Sequence, residues 1–476
     1  MKRFVEGSQR EQGDLLPSHL EDFIDEDNQA RVVDAFVEAL DLRELGFEGV
    51  TPSATGRPGY HPSVLLKIYV YGYLNRIQSS RRLEREAQRN IELMWLTGRL
   101  APDFKTIADF RRDNGQPIRK VCRQFVLLCR QVGLLGESLV AIDGSKFKAV
   151  NNRDKNFTSA KMARKVAEIE ASIERYLGEL DKTDREEPEV GAVKSSRLKD
   201  KIAAMKAQMT QLDGIQDRLA GSPDGQVSLV DPDARSMKTR GVGIVGYNVQ
   251  SAVEVKHHLI VAHEVTNVGS DRTQLHDMSV QARVAMGYED ISVVGDRGYY
   301  NGEEIVKCTQ NGITPYVPKS LTSSSIGKGL FDKRDFIYDR LSDTYRCPAG
   351  QTLPLRSGYV EHGLLINRYW YSKCRTCALK SSCTTGTERR VRRWENEDVL
   401  DAAQRRLDLK PDMMKVRRST VEHPFGTIKS WMGSTHFLTR TLNNVGTEMS
   451  LHVLAYNLKR VLKIIGIQPL LAAIRA

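Results

Sequence analysis

Two aspartates in this chain each close an apolar, β-branched run. One lies in Ser138-Leu139-Val140-Ala141-Ile142-Asp143-Gly144, the other in Ile291-Ser292-Val293-Val294-Gly295-Asp296-Arg297. Such runs read as buried strands that deliver a carboxylate at the C-terminal end. A third acidic residue, Glu422, sits in a basic stretch from Arg418 to Lys429 with helical spacing. Arg418 and Glu422 are four residues apart and share a helix face, and Lys429 follows two turns later along nearly the same face. Three carboxylates packed together raise one another's pKa, so such a cluster is stable mainly around a cation. Hard, oxygen-preferring Mg²⁺ is the natural occupant, and two such ions suit in-line displacement at phosphorus. A single strand-end aspartate is more often a turn or cap residue; the weight rests on all three together, on the right elements in the right order.

These groups need a scaffold. At 476 residues the chain is long enough for roughly three domains. Its 40% hydrophobic content is enough for a sizeable core. Lys and Arg number 71 against 60 Asp and Glu, a formal charge of +11 that suits a polyanionic partner or a merely basic protein. Met1 to Gly7 lacks the apolar core of a signal peptide, and no apolar run approaches the ~18 residues of a spanning helix. Seven cysteines in a chain of this length do not make a disulfide framework, so the expected compartment is the cytoplasm.

Helical periodicity dominates the first third. A helix is expected over 29–42, and another from Pro62 with Val64, Leu65, Ile68, Tyr69 and Tyr73 inward. Ser79-Ser80 marks a break, Ile91 to Trp95 a further helix, and Asp103 or Thr106 the start of the next. Arginines 76, 81, 82, 85, 89, 111 and 112 stud this region, as a solvated face or as DNA contacts. From Leu139 the texture becomes β, and Gly144-Ser145 between two short runs suggests a hairpin. Apolar residues at 162, 166, 169, 173, 176 and 180, then at 198, 202, 205, 209 and 212, predict an antiparallel coiled-coil hairpin inserted into that sheet. The β pattern returns at 247–253 and 258–262. After it come a helix over 274–286, the strand ending at Asp296, a helix over 302–310 and a strand at 313–317. Residues 413–432 and 443–464 are helical. The whole is a mixed α/β protein. His257-His258 reads as a turn and His423 as a helix-surface residue.

Cys347, Cys374, Cys377 and Cys383 contain one Cys-x2-Cys pair and two outliers. They could hold a structural Zn²⁺, or a small β subdomain with Tyr345, Tyr359, Trp370 and Tyr371 could bury them as thiols. Cys122, Cys129 and Cys308 lie on helical faces as core. Arg389-Arg390-Val391-Arg392-Arg393-Trp394 suits a phosphate backbone with base stacking, or equally a charged edge strand.

Together these motifs resemble the DDE transposases of bacterial insertion sequences, over nearly the whole chain. Arg57-Pro58-Gly59-Tyr60-His61-Pro62 and Phe104 to Arg111 look like their helical N-terminal domain. Ile142-Asp143-Gly144 and Gly295-Asp296-Arg297-Gly298-Tyr299 look like the first two catalytic motifs, and Arg418, Glu422 and Lys429 fit the third motif, Arg-x3-Glu-x6-Lys. Some relatives carry Tyr three positions before that Arg; here it is Lys415.

The resemblance implies an RNase H-like core holding Mg²⁺ or Mn²⁺ on Asp143, Asp296 and Glu422, with Arg418 and Lys429 on phosphates. Arg81, Arg82, Arg297, Arg389, Arg390, Arg392, Arg393 and Lys415 are candidate DNA contacts. The expected organisation is a helical domain over 1–135, a core over 136–160 and 225–320, and a coiled coil over 161–224. A Cys-containing insertion over 321–400 and a helical part of the core over 401–476 complete it. The implied reaction is cleavage at element ends followed by strand transfer. The implied partners are double-stranded DNA and a second copy when two ends are synapsed, with no membrane and a nucleoid-associated, cytoplasmic setting. The alternatives are an RNase H-fold nuclease without strand transfer, a non-catalytic DNA-binding remnant, and a scaffold built on the coiled coil.

Overall fold

The computed structural model describes residues 19–52, 58–151, 153–183, 188–222, 224–239, 243–319 and 325–476. Met1 to Gly7, Arg57 and the Glu186-Glu187 loop of the coiled coil lie outside them. The chain opens with helices α1 (Gln29–Glu38), α2 (Leu42–Leu45), α3 (Pro62–Leu74), α4 (Ser80–Arg89), α5 (Ile91–Thr97), α6 (Phe104–Asp113) and α7 (Gly115–Gln131). The helix expected over 29–42 is split, because the Asp41 carboxylate caps a new start by accepting from the N–H groups of Arg43 and Glu44. Proline opens α3 and Asp103 caps α6, as their sequences demand.

The first strand, β1, runs unbroken from Leu139 to Lys148. This corrects the expected hairpin: Gly144-Ser145 is strand interior, paired in continuous register with a later strand, Gly144 opposite Gln250 and Ser145 opposite Val249. The glycine is there for space. A Cβ on Gly144 would stand 2.6 Å from both the Asp271 carboxylate and the Gln250 side-chain nitrogen.

After β2 (Asn156–Thr158), the long helices α8 (Ser159–Thr183) and α9 (Pro188–Ala220) pack on each other, and β3 (Gln226–Ser228) returns to pair antiparallel with β2. Their seam holds Met162, Ile169 and Leu212, with Val166, Ile173, Met205 and Met209 beside them. These are the heptad positions of the predicted hairpin.

Next come β4 (Arg235–Met237), β5 (Ile244–Glu254), β6 (Ile260–Thr266), α10 (Leu275–Met286), β7 (Ile291–Val294), α11 (Gly302–Gln310) and β8 (Ile313–Tyr316). In the sheet β5 lies between β1 and β6, antiparallel to both, and β4 pairs with its start. On the other side of β1, strands β7 and β8 run parallel to it. This is the RNase H-like mixed sheet with flanking helices that the resemblance implied. His257 and His258 form the tight turn between β5 and β6, His258 with φ of +57°.

The insertion is a separate antiparallel sheet of β9 (Ile337–Asp339), β10 (Thr344–Arg346), β11 (Thr352–Glu361), β12 (Leu364–Tyr369) and β13 (Val391–Trp394), in the order 13-12-11-10-9. Helices α12 (Glu397–Leu409), α13 (Met413–Gly426), α14 (Leu442–Ile465) and α15 (Ile467–Arg475) close the chain. α14 packs against α3, α7 and β6, so the N-terminal helices and the central sheet share one continuous apolar core. Tyr73 of α3 meets the buried His452 of α14 edge-on, with ring centroids 4.7 Å apart. No described helix is long and apolar enough to cross a membrane.

Candidate active site

The site is built on the parallel seam between β1 and β7. Its last paired residues are Ala141 and Val294. Asp143 and Asp296 each follow two residues later, so both carboxylates emerge side by side at the same end of the sheet. Asp296 also caps the short turn after it, its carboxylate accepting from the Gly298 N–H at 2.7 Å.

Between the two aspartates lies a cation. Arg417 of α13 donates to Asp143 Oδ1 and stands 3.5 Å from Asp296 Oδ2. The arginine singled out from the sequence, for a role on phosphates, was its neighbour Arg418. Thr420, Val421, Pro424 and Phe425 form the buried face of α13, and Arg417 falls on that stripe three and four residues before Thr420 and Val421. Arg418 and Glu422 share the exposed stripe beside it, as does Lys415 three residues before Arg418. Among the described residues, no three His, Cys, Asp or Glu side chains stand close enough together to hold a metal ion. The structure thus joins Asp143 to Asp296 and leaves Glu422 at the surface of the adjoining helix.

Lys429 does reach the site. Its ammonium donates to Ser145 Oγ at 2.7 Å and the Lys146 carbonyl at 2.8 Å, and lies 4.3 Å from the centroid of Phe147. Uniform α-helical spacing would keep Lys429 on the stripe of Glu422. Instead α13 carries Pro424 near its end, and Thr427–Trp431 forms a π-helical turn. The wider turn shifts the following side chains around the axis, which turns Lys429 inward to β1 while Glu422 stays exposed.

A second layer sits behind the aspartates. The Asp271 carboxylate accepts from Asn248 Nδ2 at 2.7 Å and Gln250 Nε2 at 2.8 Å, with Lys146 Nζ 3.4 Å away. The buried Tyr299 hydroxyl donates to Gln250 Oε1. Nothing in the spacing of Asp271 singled it out; it lies in the loop after β6, and its place becomes visible only when β5 presents two buried amides to it. A side chain on Gly298 would meet Asp296 at 2.8 Å and Asp271 at 3.7 Å, so this carboxylate borders the same hollow.

The electrostatics are those of a site short of positive charge. Burial pushes the Asp143 carboxyl up to about 6; Arg417 pulls it down and Asp296 pushes it up again. Burial lowers the Lys429 pKa, opposed by Asp143 and assisted by Lys146. Among the described residues the Arg417 Nε has no hydrogen-bond partner. Two adjacent carboxylates, one of them held above its usual range despite a guanidinium, fit a hard divalent cation.

The other candidates fall into distinct settings. Arg81, Arg82 and Arg297 are exposed, Arg81 lying over the Phe104 ring. Arg111 is turned inward instead, onto Tyr69 and the Tyr73 hydroxyl. At β13 and just before it the basic run divides. Arg392 is exposed, and Arg390 pairs with Glu388 at 2.8 Å beside Trp370. Arg393 is buried, ion-paired with Asp398 and Asp401 and stacked 3.6 Å from the Tyr338 centroid. Arg389 donates to the Phe331 carbonyl. Alternation along the strand turns Arg393 into the subdomain, where its charge is ion-paired. Cys122, Cys129 and Cys308 are buried on their helices, as expected.

A family model described as a transposase DDE domain matches residues 212–458, half of the chain, from the second coiled-coil helix to α14. The chain belongs to this family. A second model, a transposase domain of otherwise undefined function, matches residues 18–113 of the helical region. No curated protein and no solved structure matches the chain. Asp296 and Glu422 of this transposase fall inside the matched DDE segment. Asp143 precedes it, and is tied to the site by the seam between β1 and β7.

Proposed function

We propose that this transposase cuts DNA at the ends of its element and joins the freed ends to target DNA, with Asp143 and Asp296 as the principal metal ligands. The observation that carries this reading is the pair of aspartates, each two residues past the last rung of the β1–β7 seam, sharing one guanidinium. A bound Mg²⁺ or Mn²⁺ would supply Lewis acidity toward the attacking and leaving oxygens. In the first step water attacks phosphorus, the bond to the 3′ oxygen breaks, and a 3′-hydroxyl and a 5′-phosphate result. In the second, that hydroxyl attacks a target phosphodiester and displaces the target's own 3′ oxygen.

The chain's own residues then have defined tasks. Asp143 and Asp296 concentrate negative charge at one point. Lys429, fixed on Ser145 and the Lys146 carbonyl, presents a positive charge beside Asp143 for a scissile phosphate. Lys415 and Arg418 line the exposed face of α13 as a track for the DNA backbone. Glu422 lies on that same exposed face of a helix already packed on the sheet, and it serves as the third carboxylate only when DNA and metal turn that face toward the aspartates. Two ends must be held at once, so the working form is a dimer on double-stranded DNA.

The test uses duplexes ending in the element's terminal sequence. Wild type is expected to nick them in Mg²⁺ or Mn²⁺; Asp143→Asn, Asp296→Asn and Glu422→Gln are expected to bind but not nick. A pre-cleaved end supplied with target DNA then separates a transposase, which joins it, from a nuclease, which does not. Binding without any nicking by wild type would favour the non-catalytic reading.

A further inference from the structure

The insertion sheet has little to hold it together. Its core amounts to Phe336, Tyr345, Leu353, Tyr369 and Val391. Between β12 and β13 the chain runs from residue 370 to 390 with no strand and one single-turn helix, Cys374–Thr376. Irregular stretches of that length inside a folded unit are uncommon, and small units with thin cores usually carry a disulfide or metal staple.

All four cysteines that lie outside the helices of the main core are found at this point. Cys347, Cys374, Cys377 and Cys383 line one small cavity, and all are free and half-buried. They come from two turns. Cys347 follows β10, its N–H donating to the Gln351 carbonyl at 2.9 Å and its carbonyl accepting from Gly350 at 2.8 Å. The other three lie on consecutive turns, where the Cys377 N–H donates to the Cys374 carbonyl at 3.3 Å and the Cys383 N–H to the Lys380 carbonyl at 3.0 Å.

The geometry points to a structural Zn²⁺ site formed by Cys347, Cys374, Cys377 and Cys383, which clamps the 370–390 segment onto the β10–β11 turn. Four thiolates satisfy the tetrahedral preference of Zn²⁺, with Zn–S near ~2.3 Å. The sulfurs surround the cavity wider than ligand spacing; Cys374 Sγ faces the Tyr371 carbonyl at 3.0 Å. Zinc binding therefore requires these side chains to turn into the cavity. Binding is balanced by release of the thiol protons to solvent, with no redox partner. Lys380 and Arg389 line the same cavity. This site is independent of the aspartate pair and makes no claim on catalysis.

The experiment is metal analysis of the full chain purified without chelator, under reducing conditions, and again after reconstitution with Zn²⁺ alone. The expected result is about one zinc per chain, falling to background in Cys347→Ser and in Cys377→Ser. Cys122→Ser, which alters a thiol on α7, is expected to keep it. Co²⁺ substitution is expected to give the charge-transfer absorption of a tetrathiolate in wild type and to lose it in both site variants. Should those variants fail to fold, chelation of wild type still decides, since it is expected to open residues 370–390 to protease while the central sheet stays resistant. Absence of zinc before and after reconstitution overturns the site. So does undiminished zinc in Cys377→Ser, or a native mass showing the four thiols paired as disulfides.

Discussion

Strands β5 and β11 are nearly equal in length and could hardly be held more differently. In β5 every residue from Val245 to Glu254 is buried; in β11 only Leu353 is. β5 lies inside the central sheet with α10 and α13 packed against it, and its buried Asn248 and Gln250 are paired with Asp271. β11 belongs to a single layer whose stability leans on polar and aromatic contacts, such as Arg393 with its aspartates and Arg368 3.8 Å from the Tyr359 centroid. The central sheet is rigid because burial makes it so, and rigidity is what a site with two carboxylates at fixed separation needs. The insertion has no comparable core, and Cys347 and Cys383 pack against the small one it has.

The largest effect that would sharpen this contrast is at Lys429. Lys429→Ala removes a cation from the developing phosphate charge, and nicking is expected to fall roughly 10²–10³-fold with DNA affinity largely kept. Single-turnover cleavage beside a binding titration measures both. Next, Ile260→Ala in β6, at a site 1% exposed, is expected to cost about 2–5 kcal/mol in denaturant unfolding of the whole core. Arg393→Ala strikes the insertion instead. Its partners Asp398 and Asp401 are partly solvated, which limits the loss to about 2 kcal/mol, and hydrogen exchange should place it in β9–β13 alone.

A pH effect comes next and belongs to the core. Burial, reinforced by Arg119 and Arg123, lowers His263 to about 4; burial and then Arg111 lower His452 to about 3. Both are neutral when folded and bind protons near the ordinary value of 6.5 when unfolded. Their contribution is therefore complete above pH 6.5 and is lost as pH falls toward 4. Asp143, raised to about 6, works in the opposite sense over a narrower window. Melting temperature is expected to drop between pH 7 and 5, and less steeply in His452→Gln. Smallest of all is Val360→Ala in β11, at a site 69% exposed, which should change stability by no more than about 0.5 kcal/mol. A loss as large as that of Ile260→Ala would erase the contrast between the two sheets.

Much of this architecture could be read from local pattern. Period-two and period-3.6 apolar runs located the helices, the coiled coil and the order of the central strands, because burial imposes those periods directly. The two strand-end aspartates were visible for the same reason. What escaped depends on neighbours distant in the chain. Gly144-Ser145 looks like a turn, yet its glycine makes room for Asp271 and Gln250. Asp271 has no local signature, since its partners are the buried amides of β5. Arg417 was not singled out, although the stripe of Thr420, Val421 and Phe425 already marked the inward face. The separation of Lys429 from Glu422 arises from a π-turn that even helical spacing does not anticipate. Arg393 reads as one more exposed cation until strand alternation and two aspartates bury it.

The central claim is that Asp143 and Asp296 form the metal-binding pair. Mn²⁺ binding to the full chain without DNA, followed by electron paramagnetic resonance, tests it without recourse to activity. Wild type is expected to bind, Asp143→Asn to lose binding almost entirely, Asp296→Asn to be strongly weakened, and Glu422→Gln to be little changed until DNA is added. Mn²⁺ binding by Asp143→Asn and Asp296→Asn equal to that of wild type would contradict the claim.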